Sequence, residues 1–199
     1  MKVKVERLTN WSLALDVARE TMGKETNGKE PSSGWKKRML LARHSPIQTV
    51  FYRIDLVGIP YWVSVHLVRH KVGVDHFVRS QRSDRTGVSR DELPQNAPVV
   101  HTMVANAQAI LAISRKRLCF QASPETRKTW EAVVKALAEA GEVELAEACV
   151  PECVACGGMC PELKPCGRRP TTSPEHRRNA YDFMRNPKGR QSCRGKTKS

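Results

Sequence analysis

Val65-His66-Leu67-Val68-Arg69-His70-Lys71, followed after a short gap by Arg79-Ser80-Gln81-Arg82, is the stretch on which the reading of this chain turns. Tyr61, Val65, Val68 and Val72 recur at helical spacing, while His66, Arg69 and His70 stand at i, i+3 and i+4 and share a different face. One stripe is expected to meet a core and the other a site. Beyond it the arginines and Ser80 form a set of donors suited to a phosphate, because a guanidinium pairs with phosphate oxygens two at a time and a hydroxyl adds a further donor. A solvated basic helix end is the plain alternative, and the rest of the chain has to decide.

Length and composition bound the answer. The 199 residues, 40% of them hydrophobic, suffice for one domain with a sizeable core. No apolar run approaches the roughly 18 residues of a membrane span, and Met1-Lys2-Val3-Lys4-Val5-Glu6 does not read as a signal peptide, so a soluble, cytoplasmic protein is expected. The formal charge is +14, but residues 167–199 hold ten Lys/Arg against two Asp/Glu, which leaves the body only moderately basic. A tail of that kind can hold nucleic acid electrostatically, whereas clustered arginines on a moderate body suit a small anion equally well.

Along the chain, residues 1–8 alternate as a strand, and apolar residues at Trp11, Ala14, Leu15 and Ala18 predict a helix that stops near Gly23. Residues 24–34 read as a loop and 35–43 as a short helix. Ile47 to Val57, rich in β-branched and aromatic residues and bounded by Pro46 and Gly58, is the strongest predicted strand, with Pro60 in the first turn of the central helix. A long helix is expected from about Asn96 to Arg117, with Asn106, Ile110, Ile113 and Arg117 on one stripe and its two polar ends roughly 16 Å apart at about 1.5 Å per residue. Ser123-Pro124-Glu125 is a helix start, with a serine cap, proline in the first turn and an acid at the positive end; the helix should run to about Ala140.

Five of the seven cysteines then fall between 149 and 166 among glycines and prolines. This is no secreted disulfide framework. Cys153, Cys156, Cys160 and Cys166 offer four thiolates at spacings compatible with structural zinc, with free or redox-active thiols and an iron–sulfur cluster as the other readings. The expected organisation is a domain at 1–145, a Cys-rich segment at 146–167 and a basic tail at 168–199.

Several motifs, in order, resemble those of the flavin-dependent thymidylate synthases. Arg69-His70-Lys71 followed by Ser80-Gln81-Arg82 is similar to the family's Arg-His-Arg, about seven residues, then Ser-x-Arg. Thr21-Met22-Gly23-Lys24, His44-Ser45-Pro46, Arg90-Asp91-Glu92-Leu93-Pro94, Asn106-Ala107-Gln108, Arg117 and Ala122-Ser123-Pro124-Glu125 fall where the family has related segments, so the resemblance covers roughly residues 1–130. It implies methylation of dUMP to dTMP with bound FAD, NADPH as reductant, methylenetetrahydrofolate as carbon donor, and a homotetramer with sites between subunits. The expected architecture is α/β in the α+β sense, a mostly antiparallel sheet flanked by helices with a Cys-rich segment at the C-terminal side.

Carried over residue by residue, the resemblance assigns FAD to Arg69, His70, Lys71, Thr21, Ser45, Asn106 and Gln108. It assigns dUMP to Arg79, Ser80, Gln81, Arg82 and Arg90, with His66 where a glutamine often reads the nucleotide. Arg117 would sit against the uracil and favour charge developing there, the catalytic role. The chain departs from the pattern at Lys71, at Gln48-Thr49 where Glu-His is usual, at the missing acid before Ser80, and in lacking a helical insertion after Arg82. Such departures suit a compact, virus-borne type of member, or an enzyme that hydroxymethylates the same base. A non-catalytic nucleic-acid-binding protein with a zinc-stabilised basic tail is the reading from another class.

Overall fold

The structure is a computed structural model that describes residues 1–158 and 160–167; the basic tail at 168–199 lies outside the described residues. The chain divides into one unit at Met1–Pro151 and a second that begins at Glu152. The first holds a four-stranded antiparallel sheet in the order β1-β2-β4-β3, built from β1 (Lys2–Arg7), β2 (Phe51–Pro60), β3 (Val74–Val78) and β4 (Pro98–Asn106). Its helices are α1 (Trp11–Glu20), α2 (Ser33–Ala42), α3 (Tyr61–Leu67), α4 (Ser83–Thr86), α5 (Ala107–Arg117), α6 (Pro124–Glu139) and α7 (Val143–Ala148). The expected α+β class with an antiparallel sheet is what the chain adopts.

Period-two burial makes the sheet one-sided. Tyr52, Ile54 and Leu56 of β2 and Val99, His101, Met103 and Ala105 of β4 point to the core, where α3 packs on β2 and β4, α5 on β4, and α6 on β1. Directly opposed residues share a face, so His76, paired with Met103, also points inward, beside His101. The other face mixes polar with apolar side chains and is partly exposed; there Thr102 Oγ1 donates to Asp55 Oδ1 at 2.6 Å.

Several expectations are corrected. The segment from Asn96 to Arg117 is not one helix: β4 occupies Pro98–Asn106, and only α5 is helical. Alternating burial over Val99, His101, Met103 and Ala105 suits a strand, and the stripe from Asn106 to Arg117 belongs to α5 and its cap alone. The strand expected from Ile47 starts only at Phe51, because Ser45–Thr49 is a tight 3-10 turn with Pro46 near its start and the Thr49 hydroxyl on the Pro46 carbonyl at 2.8 Å. That strand runs through Gly58, whose φ of 76° carries a bulge between Val57 and Ile59, and Pro60 caps α3 rather than entering it. Finally, α3 buries Val63, Ser64 and Leu67, whereas Tyr61 is 43% exposed and Val72, beyond the helix, 89% exposed. Nearly every position there is apolar, so two helical stripes fitted the sequence and the wrong one was assigned to the core.

The helix start at Ser123-Pro124 holds, and a cap at Asn106 is new. Ser123 caps α6, accepting from the Thr126 amide, with Pro124 in the first turn. Asn106 caps α5 through the Ala109 amide at 2.9 Å, and its own amide donates to the Gly73 carbonyl at 2.9 Å. Gly73 has a φ of +70°, and a Cβ built there would lie 2.7 Å from the Asn106 side chain, so this turn needs glycine on two counts.

In the second unit, α8 (Glu152–Ala155) precedes a turn in which Gly157 and Gly158 both have positive φ. Cys156 Sγ donates to Glu152 Oε1 at 3.1 Å. Among the described residues there is no group of three or more His, Cys, Asp or Glu that could hold a metal ion, Cys153, Cys156, Cys160 and Cys166 included.

Candidate functional site

The loop after β3 and the short 3-10 turn at Arg90–Glu92 enclose a cavity of about 440 Å³ against the start of α3. Arg79, Ser80, Gln81 and Arg90 line it together with Tyr61 and Gln95, and among the described residues no carboxylate does. Two guanidinium groups, a hydroxyl and two amides facing one space form an anion site with an aromatic wall, and the volume falls in the range of small-ligand pockets. Arg82, expected in this set, is not among its walls. Its guanidinium turns to Asp84 in a two-pronged pair, 2.9 Å for each contact. Both partners are well exposed, which makes the pair a weak tie.

A smaller cavity of about 200 Å³ lies at the β4–α5 junction, lined by Gln48, Val72, Gly73, Asn106, Gln108 and two alanines of α5. Gln108 Oε1 is buried without a hydrogen-bond partner among the described residues. A buried amide oxygen left in that state is costly unless something donates to it.

Arg117, at the end of α5, is half-buried. Its Nε donates to His70 Nε2 at 2.9 Å and one terminal nitrogen donates to the His66 carbonyl. Both acceptors are neutral, and the neighbouring charge acting on Arg117 is Arg69, so burial and a like charge pull its pKa below the usual guanidinium value. Burial, then Arg117 and His76, hold His70 down at about 4, and burial, Arg117 and Arg69 lower His66. Both imidazoles are therefore neutral near pH 7. His66 Nδ1 meets Thr126 Oγ1 at 3.0 Å, and its ring stands edge-on to Trp62.

The structure thus gathers the sequence-predicted residues into three groups: Arg79, Ser80, Gln81 and Arg90; Asn106 with Gln108; and His66, His70 and Arg117. Arg69 and Lys71 are exposed in the turn beyond α3. Thr21 and Ser45 line neither of the first two cavities; the Thr21 hydroxyl donates to the Ala18 carbonyl at the end of α1. Sequence reasoning missed Gln48 and Tyr61 as cavity walls and missed a buried row behind His70. In that row Ser64 Oγ meets His101 Nδ1 at 3.0 Å, His101 Nε2 meets His76 Nδ1 at 2.9 Å, and His76 Nε2 meets the His70 carbonyl at 2.7 Å. The inward alternation of Val74, His76 and Val78, and of Val99, His101 and Met103, was the signal that could have found it.

No family model and no curated protein matches the chain. Solved structures do. The chain has the fold of the flavin-dependent thymidylate synthases. The enzyme from Helicobacter pylori, crystallised with FAD and dUMP, superposes with a TM-score of 0.59 at 15% identity, over 75% of this chain and 100% of that one. A second structure of the Helicobacter pylori enzyme, also with FAD and dUMP, gives 0.60 at 12% identity, over 75% and 99%. The UMP/dUMP methylase PolB from Streptomyces cacaoi, bound to 5-bromo-dUMP, gives 0.55 at 16% identity, over 74% and 94%.

Proposed function

We propose that the chain is an enzyme that modifies C5 of dUMP with the help of bound FAD, methylating it to dTMP with methylenetetrahydrofolate as carbon donor and NADPH as reductant. The observation that carries this reading is the acid-free cavity walled by Arg79, Ser80, Gln81 and Arg90, on a fold that in its structural neighbours holds dUMP or its 5-bromo analogue. The arginines and Ser80 would take the phosphate, and Tyr61 would pack on the nucleoside.

The residues present fit a flavin. Gln108 Oε1 is an acceptor without a donor among the described residues, and Gln48 and Asn106 add amides around an otherwise apolar hollow, which suits the N–H and C=O edge of a flat heterocycle. His70, Arg69, Lys71, Ser45 and Thr21 are the further groups proposed to hold it. When bound, reduced FAD supplies the reducing equivalents that turn the transferred carbon into a methyl group. The part left to the protein is to position and polarise. Arg117, a cation held by neutral acceptors among the described residues, would stabilise negative charge developing on the uracil. A homotetramer is proposed as the working assembly, with the turn beyond α3 facing a neighbouring copy. Zinc on Cys153, Cys156, Cys160 and Cys166 is a separate proposal; it requires those thiols to close around the ion, and metal analysis of the purified protein checks it.

The direct experiment is titration of the purified protein with dUMP and FAD, followed by turnover with NADPH and methylenetetrahydrofolate. A yellow protein that binds dUMP and yields dTMP is expected, and the product mass separates methylation from hydroxymethylation. A protein that binds neither flavin nor dUMP, yet binds DNA in a salt-sensitive way, would overturn the reading.

A further inference from the structure

The row Ser64, His101, His76 ends on a carbonyl, and with the imidazoles neutral that end fixes every proton in it. The His70 carbonyl can only accept, so His76 Nε2 carries the hydrogen. In neutral His76 the other nitrogen, Nδ1, is then an acceptor, so His101 Nε2 must be the donor across 2.9 Å. His101 Nδ1 is left as an acceptor, and the Ser64 hydroxyl donates to it. His101 and Ser64 are almost wholly buried, at 0% and 2% exposed, so water does not readily replace either contact.

From the opposite side, the Arg117 Nε–H can only donate, which makes His70 Nε2 an acceptor and places the His70 proton on Nδ1. His70 is therefore gripped three times: its amide by the Leu67 carbonyl at 3.0 Å, its carbonyl by His76 and its ring by Arg117. His76 lies on an edge strand between inward-facing valines, where an apolar side chain would bury more favourably. Its polarity serves the turn it touches.

We infer that His76 is a positioning residue for Arg117: by holding the His70 carbonyl it fixes the turn whose ring and preceding His66 carbonyl set the direction of the guanidinium. His101 and Ser64 act behind it, fixing the His76 tautomer that can donate. The rate consequence rests on the proposed function; the geometry does not.

The test compares His76→Gln with His76→Asn. The longer amide can still donate to the His70 carbonyl, whereas the shorter one reaches His101 but not the carbonyl. Nitrogen NMR of the wild-type imidazoles is expected to show Nε2–H on His76 and His101 and Nδ1–H on His70; any other pattern overturns the inference without a variant being needed. Hydrogen exchange at the Arg117 Nε–H is expected to stay slow in H76Q and to quicken at least about tenfold in H76N, with circular dichroism unchanged. Equal protection in both variants would overturn it. In turnover, H76N should lose about tenfold or more in kcat with little change in KM for dUMP, and H76Q should retain most of the rate. If the tautomers and exchange behave as expected but the wild type does not convert dUMP, the proposed function fails and the positioning role stands.

Discussion

Glu142 and Arg117 are both charged groups drawn into the Met1–Pro151 unit, yet their surroundings differ. Glu142, 5% exposed, accepts from Arg7 at 2.9 Å on one oxygen and from Trp11 Nε1 at 2.9 Å and the Tyr52 hydroxyl at 2.7 Å on the other. Its charge is met within the chain, and the contacts tie β1, α1 and β2 to the start of α7. Burial together with the adjacent carboxylate pushes the Tyr52 hydroxyl pKa well above its ordinary value, so it remains a donor. Among the described residues Arg117 meets only a ring nitrogen and a carbonyl. A charge neutralised inside the fold holds the fold, while one left with neutral partners is available to a ligand.

The sharpest way to break this contrast is at Glu142. Glu142→Ala strands three donors, two of them buried, and should cost about 3 to 5 kcal/mol of unfolding free energy, read from urea denaturation. Arg117→Lys should leave that midpoint nearly unchanged and keep the protein yellow, yet slow dTMP formation by about 10² at saturating dUMP. If both substitutions act mainly on stability, the two regions do not differ as described.

A smaller effect comes from pH. Burial, with His76 adding to it, holds His101 at about 4 in the folded protein against 6.5 when unfolded. The unfolded chain therefore binds the proton first on acidification. Stability is fully present above about pH 6.5 and falls towards pH 4, by roughly 3 kcal/mol from this group. Urea midpoints measured across that window check it, and His101→Asn should flatten the slope. Smaller still is the split between two arginines: Arg90→Ala should weaken dUMP binding about tenfold or more, whereas Arg82→Ala, already paired with Asp84 at the surface, should change it less than about threefold by calorimetry.

What the sequence showed depended on whether one physical signal stood alone. Ser123-Pro124-Glu125 was legible because cap, proline and acid all speak for a helix start, and α6 begins there. The arginine and serine cluster was legible because its residue types serve few other purposes together. Val99 to Asn106 is hard to read from sequence because Val100, Thr102 and Val104, alternating with His101, Met103 and Ala105, run straight into a true helix, leaving no glycine or proline to mark the change. The row behind His70 was invisible for a different reason. Ser64, His76 and His101 come from three elements, and it takes both the sheet register and the packing of α3 on β4 to bring them into one line. Arg82 stands outside the cavity wall because a neighbour two residues away, Asp84, competes for it, which no motif spacing expresses.

The turn around Gly73 ties both ends of α5 to one short piece of chain. Asn106, at the head of the helix, rests on the Gly73 carbonyl, and Arg117, at its foot, rests on the ring of His70, three residues earlier. The loop acts as a strap along the helix, and the absent side chain at Gly73 is the notch into which Asn106 fits. The amide hollow at one end and the guanidinium at the other therefore share a common mounting. A drifting sequence could alter either end separately, but a side chain added at this notch would disturb both at once, which leaves position 73 little freedom to vary.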